Sequence, residues 1–379
     1  MATQDAPTLG VAMLGYAFMG HAHSRALHAM SLVPSPPAIP ELVSVCGRDP
    51  AAVERRRRRF GWREAVADWH EQVADPRVEL FDNCGPNALH AAPTIEAARN
   101  GKHVFCEKPL GVTADEAHRI WSEAEAAGVV HMCGFNYRFV PAIRLAREII
   151  EAGDLGEIYH FRSRFLNGSA LKVGQEGVHP WRFDRLQSGS GAVGDIGAHH
   201  IDLARYLIGE PVSVLAITRT IPREEGAHKI DVDDSFAALL ELEGGATATV
   251  EASRIAGGHQ NENSFEVEGS KGCVSFEILD FNVLRIAHGN RVTRLTVTEP
   301  EHPFMDLWWE TPMPIGWGST FVHEFHHLLS AIAGWNDVAP HGATFRDGYR
   351  VAEVCDALLR AGETGQRETI TYREAAQMA

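Results

Sequence analysis

Six residues, Gly15-Tyr16-Ala17-Phe18-Met19-Gly20, constrain the fold of this chain more than any other stretch. They follow a short apolar strand, Val11-Ala12-Met13-Leu14, and lead into a helical pattern carrying Ala22, Ala26, Leu27 and Met30. Strand, glycine turn and helix in that order open a parallel α/β unit whose helix N-terminus can hold a dinucleotide pyrophosphate. The first glycine permits the tight turn, and the last lets helix and strand pack closely. Ala17 takes the middle position of G-x-G-x-x-G, and its methyl group would push the pyrophosphate slightly from the backbone. Gly15, Ala17, Phe18, Met19 and Gly20 are the cofactor contacts expected on this pattern.

The alternation continues for some 120 residues. Ser31 to Pro40 holds Pro34, Pro36, Pro37 and Pro40 and reads as a rigid loop before a second strand, Leu42 to Cys46. In an NAD site that strand ends in an acid for the ribose 2′-hydroxyl. Gly47 stands there and Arg48 follows, which tolerates a 2′-phosphate and tilts the cofactor choice, NAD or NADP, toward NADP. Equally, Asp49 can cap the next helix with Arg48 simply exposed. Further strands are expected at Val78 to Cys84, His103 to Cys106 and Val129 to Gly134, with a helix from Ala114 to Ala127 stopped by Gly128. Alternating strands and helices make a parallel doubly wound sheet with right-handed crossovers.

After Phe135 the pattern changes. Pro141 opens a helix ending near Gly153, and from Ile158 the period is two. Tyr159, Phe161 and Phe165 fall on one face, and His160, Arg162 and Arg164 on the other. Strands are expected at Val212 to Thr220, Ser235 to Leu242, Ala246 to Ser253, Ser264 to Glu268 and Cys273 to Ile278. Gly244-Gly245 and Ser270-Lys271-Gly272 form hairpin turns. The expected fold is a Rossmann-type α/β domain over residues 1–135. An α+β domain over residues 136–379 follows, with a large, mostly antiparallel open sheet and helices on one face.

The formal charge of −15 argues against nucleic acid as a partner, because phosphate backbones select basic faces. Arg55 to Arg59 reads as a solvated helix face. No apolar run approaches ~18 residues, so no membrane partner is expected. Met1 to Leu9 lacks the regions of a signal peptide, and six cysteines without a CxxC pair suit free thiols in a reducing cytoplasm.

Two stretches carry chemistry. Cys106-Glu107-Lys108-Pro109-Leu110 places a lysine on a stiff turn at the carboxyl end of a strand, where open α/β sheets bind ligands. It reads equally as a surface lysine in a loop. Asp195 and His199, four apart on an expected helix near Gly191 to Leu207, would share a face, the carboxylate orienting the imidazole. Such pairs are also common on surfaces. Together these parts supply what oxidation of a CH–OH group needs: a hydride acceptor, a base and a cation for the developing alkoxide. A rival motif is His323-Glu324-Phe325-His326-His327, which satisfies the H-E-x-x-H pattern of zinc proteases. It sits late in the chain among Phe321, Phe325, Leu328 and Leu329, and no metal site is expected of it.

Four local matches make the chain resemble the glucose–fructose oxidoreductase / inositol dehydrogenase (Gfo/Idh/MocA) family. They are the Gly15 to Gly20 turn with His23, Gly85-Pro86-Asn87 with His90, Glu107-Lys108-Pro109, and Gly194-Asp195-Ile196-Gly197-Ala198-His199 with Asp202. The resemblance implies NAD(P) in the first domain, touched also by Arg48, Pro86, Asn87, His90, Glu107 and Lys108. It implies a catalytic group of Lys108, Asp195 and His199 acting on a sugar or cyclic polyol. The second-domain sheet would form a homodimer or homotetramer interface. Asn136, Tyr137, Arg138, Asn167, Trp181 and Arg182 are expected to border the substrate beside Lys108, Asp195 and His199. Trp308-Trp309 and Trp317 would wall the pocket or the subunit contact. A non-catalytic NAD(P) sensor of the same fold is the alternative, less consistent with a chain that keeps lysine, Asp and His together.

Overall fold

The computed structural model describes residues 6–172, 180–221, 224–225, 228–308 and 313–375. Its first sheet has six parallel strands in the order β3-β2-β1-β4-β5-β6. These are β1 Thr8–Leu14, β2 Ile39–Cys46, β3 Glu64–Val66, β4 Leu80–Asn83, β5 His103–Glu107 and β6 His131–Gly134. The order reverses direction between β1 and β4, the switch point outside which such sheets bind ligands. Helices α1 Phe18–Ala29, α2 Pro50–Phe60, α3 Trp69–Ala74, α4 Ala91–Arg99 and α5 Ala114–Ala127 provide the crossovers. β2 begins inside the expected proline loop. Pro40 pairs in register with Leu9, and β3 joins β2 only from Ser44 to Cys46. The outer side of β2 is therefore free where proline lacks its N–H.

Beyond α6 Pro141–Glu151 lies a second sheet of nine strands. It begins with β7 Ile158–Leu166. After α7 Arg185–Ser188 and α8 Ala198–Leu207 come β8 Pro211–Arg219 and a separate ribbon, β9 Glu224–Glu225 with β10 His228–Lys229. The sheet resumes with β11 Ser235–Leu242, β12 Thr247–Ser253, β13 Glu262–Gly269, β14 Cys273–Glu277, β15 Val283–His288 and β16 Arg291–Thr296. β17, Glu368–Thr369, closes the edge beside β8. All neighbours are antiparallel except β7 and β12. Phe161, Phe165, Phe236, Val250, Phe265 and Phe276 point inward, where Ile201, Leu203 and Ala204 of α8 meet them in one core. Tyr159, expected on that inner face, is 53% exposed near the start of β7.

Residue 135 marks the end of the parallel sheet but not of its packing. α9, Ser319–Ile332, returns to the first sheet, where Phe321, Phe325, Leu328 and Leu329 share a core with Val11, Met13, Leu27 and Phe105. α10, Phe345–Thr364, packs against both α5 and β8. Ala343 adds a single bridge to Cys133 in β6. These contacts bring the end of β5 and the α7–α8 insert together, where Asn87 after β4 reaches Ser188 of α7.

Candidate active site

The lysine turn is braced from behind. Glu107, 5% exposed at the end of β5, accepts the Lys108 N–H through Oε2 at 3.2 Å, while its Oε1 lies 3.1 Å from His23 Nε2. Gly134 on β6 makes room for this carboxylate, since a Cβ there would come within 2.9 Å of it. The Lys108–Pro109 peptide is cis. His90, expected beside the cofactor, is fully buried. Its Nδ1 lies 2.8 Å from the Pro109 carbonyl and its Nε2 3.1 Å from that of Gly85. Burial holds the ring below the ordinary histidine value, so it donates to one of these carbonyls, and both nitrogens are turned to the protein. From the turn, Lys108 Nζ donates to the Asp195 carbonyl at 2.7 Å and stands 3.8 Å from the Asp195 carboxylate.

Asp195 and His199 do not form the expected pair. Val193–Gly197 is a π-helical turn leading into α8, so the α-helical i, i+4 geometry is lost. Among the described residues no hydrogen bond joins them. One Asp195 oxygen faces Lys108, and the other lies 3.5 Å from Arg254 Nη1. Burial alone would raise this carboxyl, but Lys108, Arg182 and Arg254 outweigh it and hold it below the usual aspartate value. His199 packs edge-on to Tyr137, ring centres 4.7 Å apart, with its Nδ1 buried and without a partner among the described residues. Burial, then Lys108 and His200, hold it well below the ordinary histidine value, so it is neutral at neutral pH.

Arg254 had no signal in the sequence. It follows β12, is 1% exposed, and passes Gly191, where a Cβ would lie 1.7 Å from the Asp233 carbonyl oxygen and 2.6 Å from Arg254 Nη2.

Of the expected substrate contacts, Tyr137 packs against His199. Arg138 is a correction: it is 3% exposed and forks onto Asp202 at 2.8 and 2.5 Å, with Asp347 at 3.3 Å. Its donors are engaged in a buried ion cluster. Asn136 is likewise occupied, donating to Thr320 Oγ1 at 2.9 Å. Asn167 closes its own loop, its Oδ1 accepting from the Ser169 N–H at 3.0 Å and its Nδ2 donating to Asn261. Arg182 lies over the Trp181 ring at 4.5 Å, and Asp195 feels its charge. Trp309 falls outside the described residues, whereas the Trp308 indole N–H donates to His323.

The glycine turn fits a dinucleotide. A Cβ on Gly15, at φ +108°, would strike the Cys84 carbonyl at 2.5 Å, and one on Gly20 the Gly15 carbonyl at 2.2 Å. α1 has no side-chain cap, so its first N–H groups are available to a phosphate. Phe18 stacks on Trp317, ring centres 5.9 Å apart. Asn87 reaches across to the Ser188 carbonyl at 2.9 Å. Asp49 caps α2, accepting from Ala51 and Ala52, and Arg48 is exposed. From the arginine run, Arg56 Nε holds the Tyr16 carbonyl at 2.9 Å. Gly47 lies under the Tyr16 ring, which a Cβ would meet at 2.1 Å.

The HExxH residues do not converge. His323 accepts from Trp308 at Nε2 and so donates from Nδ1 to the Phe139 carbonyl, at 2.6 and 2.8 Å. His327 Nε2 pairs with the Val338 carbonyl, and Glu324 turns inward with both oxygens buried.

Residues 9–135 match the family model described as oxidoreductase family, NAD-binding Rossmann fold, and residues 143–275 match the GFO/IDH/MocA C-terminal domain. A levoglucosan dehydrogenase of Pseudarthrobacter phenanthrenivorans is 36% identical over 93% of this chain and 96% of its own. An inositol 2-dehydrogenase of Rhizobium meliloti is 28% identical over 93% of this chain and 97% of its own. A levoglucosan dehydrogenase solved with NADH and levoglucosan superposes with a TM-score of 0.91 at 36% identity, covering 96% of this chain and all of that one. With a glycine turn shaped for a dinucleotide and a lysine turn meeting Asp195, the chain belongs to the GFO/IDH/MocA family of NAD-binding oxidoreductases.

Proposed function

We propose that the chain oxidises a secondary alcohol of a sugar or cyclic polyol, with anhydrosugars of the levoglucosan kind the first to try. The single observation behind this is the meeting of Lys108 with Asp195, beside a buried neutral His199. Lys108 Nζ donates to the substrate hydroxyl and strengthens that bond as negative charge develops on the oxygen. His199, uncharged, takes the hydroxyl proton. Asp195 balances the lysine and keeps its ammonium aimed into the site. Tyr137 and Trp181 offer apolar faces to the ring. The dinucleotide, when bound, supplies the hydride acceptor; Gly15 to Gly20 would hold its pyrophosphate, with Pro86 and Asn87 at the crossing between the sheets.

The chain accepts NADP at least as well as NAD on this reading, supported by Gly47 in place of an acid and by Arg48 and Arg56 nearby. Relatives solved with NADH support NAD as a partner too. A second copy of the chain fits the outer face of the nine-stranded sheet. A trough of about 710 Å³ there exposes Leu215, Ile217 and Leu239, flanked by Arg162 with Glu266 and Arg164 with Glu262. Six free thiols suit a reducing cytoplasm.

Initial rates on levoglucosan, inositols and aldoses with NAD and with NADP test the assignment. Turnover of at least one is expected. Tight nucleotide binding with no turnover across the panel would favour the sensor.

A further inference from the structure

Behind the lysine turn lies a buried cluster that the chemistry above does not use. His23, on α1 three residues past Gly20, is fully buried. Its Nδ1 is 3.1 Å from both oxygens of Asp82 in β4, and its Nε2 is 3.1 Å from Glu107 Oε1 at the end of β5. A carboxylate only accepts, so a ring with carboxylates on both sides must donate from both nitrogens. The other groups facing it are the Cys84 thiol, 3.0 Å from Nδ1, and Glu324 from α9. Phe105, Phe321 and Phe325 wall the rest, ring centres 5.1 to 5.6 Å away.

The charge balance agrees with that geometry. Burial works against charge on His23, and the Asp82 carboxylate bonded to its Nδ1 works for it. Burial pushes the Cys84 thiol up, so it stays protonated. Burial, then Glu107, do the same to Glu324, whose two oxygens have no partner among the described residues. One imidazolium thus sits between two carboxylates, and one of these, Glu107, receives the backbone N–H of Lys108.

We propose that His23, as an imidazolium, is the positioning residue that ties the cofactor's glycine turn to the lysine turn through Glu107. The tie sets how far Lys108 Nζ stands from a nucleotide seated on α1. Its loss therefore falls on turnover, since a misplacement of about 1 Å can cost about 100-fold. The kinetic arm of this inference rests on the dehydrogenase reading; the spectroscopic arm does not.

Nitrogen NMR of ¹⁵N-histidine protein, with His23→Gln for assignment, reads the ring directly. The expected result is one histidine protonated on both nitrogens that does not titrate between about pH 6 and 9. In Glu107→Gln the amide N–H₂ faces Nε2 and turns it into an acceptor, so the same ring should become neutral. Both variants should lower kcat about 100-fold, with nucleotide Kd and substrate KM within about threefold. A neutral His23 in the unmodified protein overturns the proposal. So do folded variants with unchanged kcat, and so does a parallel fall in kcat, nucleotide affinity and Tm, the mark of a merely structural residue. Should His23→Gln fail to fold, the near-isosteric Glu107→Gln and the unmodified protein's spectrum decide the matter. A failed substrate panel leaves the spectrum readable, so the two proposals fail separately.

Discussion

Arg138→Met distinguishes a substrate contact from a structural cation. Arg138 is 3% exposed, pairs in a fork with Asp202, reaches Asp347, and stacks on Tyr206 at 4.8 Å. Removing one partner of a buried ion pair typically costs about 3–5 kcal/mol, because the other charge is left uncompensated. Arg205 remains 3.7 Å from Asp202 and 3.2 Å from Asp347, so the lower end of that range is expected. An unfolding entropy of about 2.1 cal/mol/K per residue, over the 379 residues of the chain, gives about 0.8 kcal/mol/K. The predicted fall in Tm is then about 4 °C. Arg138→Met/Asp202→Leu, which removes both charges, should recover most of it. Thermal melts and steady-state kinetics on the same preparations provide the assay, and substrate KM should stay within about twofold. A single variant with an unchanged Tm and a KM raised about tenfold would show that Arg138 reads the substrate after all.

Lys108→Ala and His199→Ala should each lower kcat about 100-fold or more with nucleotide binding retained, and the double variant should lose less than the product; near-normal kcat in a folded Lys108→Ala protein removes the proposed chemistry. His199 is held below its ordinary value, so kcat/KM should keep its alkaline level down through pH about 6.5 before protonation of the base lowers it; an acid limb at or above that pH contradicts the buried neutral imidazole. Gly47→Asp should weaken both nucleotides, because its Cβ meets the Tyr16 ring at 2.1 Å, and only with Tyr16→Ala added should preference move toward NAD; a clean switch in the single variant refutes that clash. A chelator should leave activity unchanged, since His323 and His327 are already hydrogen-bonded; loss of activity with release of stoichiometric zinc would revive the HExxH reading.

Local signals were legible and long-range ones were not. The glycine turn, the lysine turn and the alternation of strands and helices depend on residues adjacent in the chain, and each stands where its spacing puts it. Arg138 looked like a site residue because it follows Tyr137; the carboxylates that claim it lie 64 and 209 residues away. Arg254 gave no signal, since its role depends on a carboxylate 59 residues upstream. β16 was missed because it is an edge strand, and Arg291-Val292-Thr293-Arg294 is exposed on both faces; β15, beside it, was missed as well. The H-E-x-x-H spacing is satisfied by any helix, and spacing alone does not say which way the helix faces.

The π-helical turn at Val193–Gly197 changes the chemistry more than any other difference between expectation and structure. On a regular helix the Asp195 carboxylate would support His199 and strengthen it as a base. Here the carboxylate is turned onto Lys108 and Arg254, leaving His199 with an unpartnered Nδ1 in a buried pocket. A base so placed holds a proton weakly. On the proposed mechanism it still takes one from an alcohol made more acidic, the task assigned there to the Lys108 ammonium on the same oxygen. The division also suits a reversible reaction, because a weakly held proton is readily returned to the alkoxide when hydride comes back. On the proposed mechanism the barrier to proton transfer is set by the placement of one lysine, so the residues around that lysine, Glu107 behind it and Asp195 before it, matter as much as the base itself.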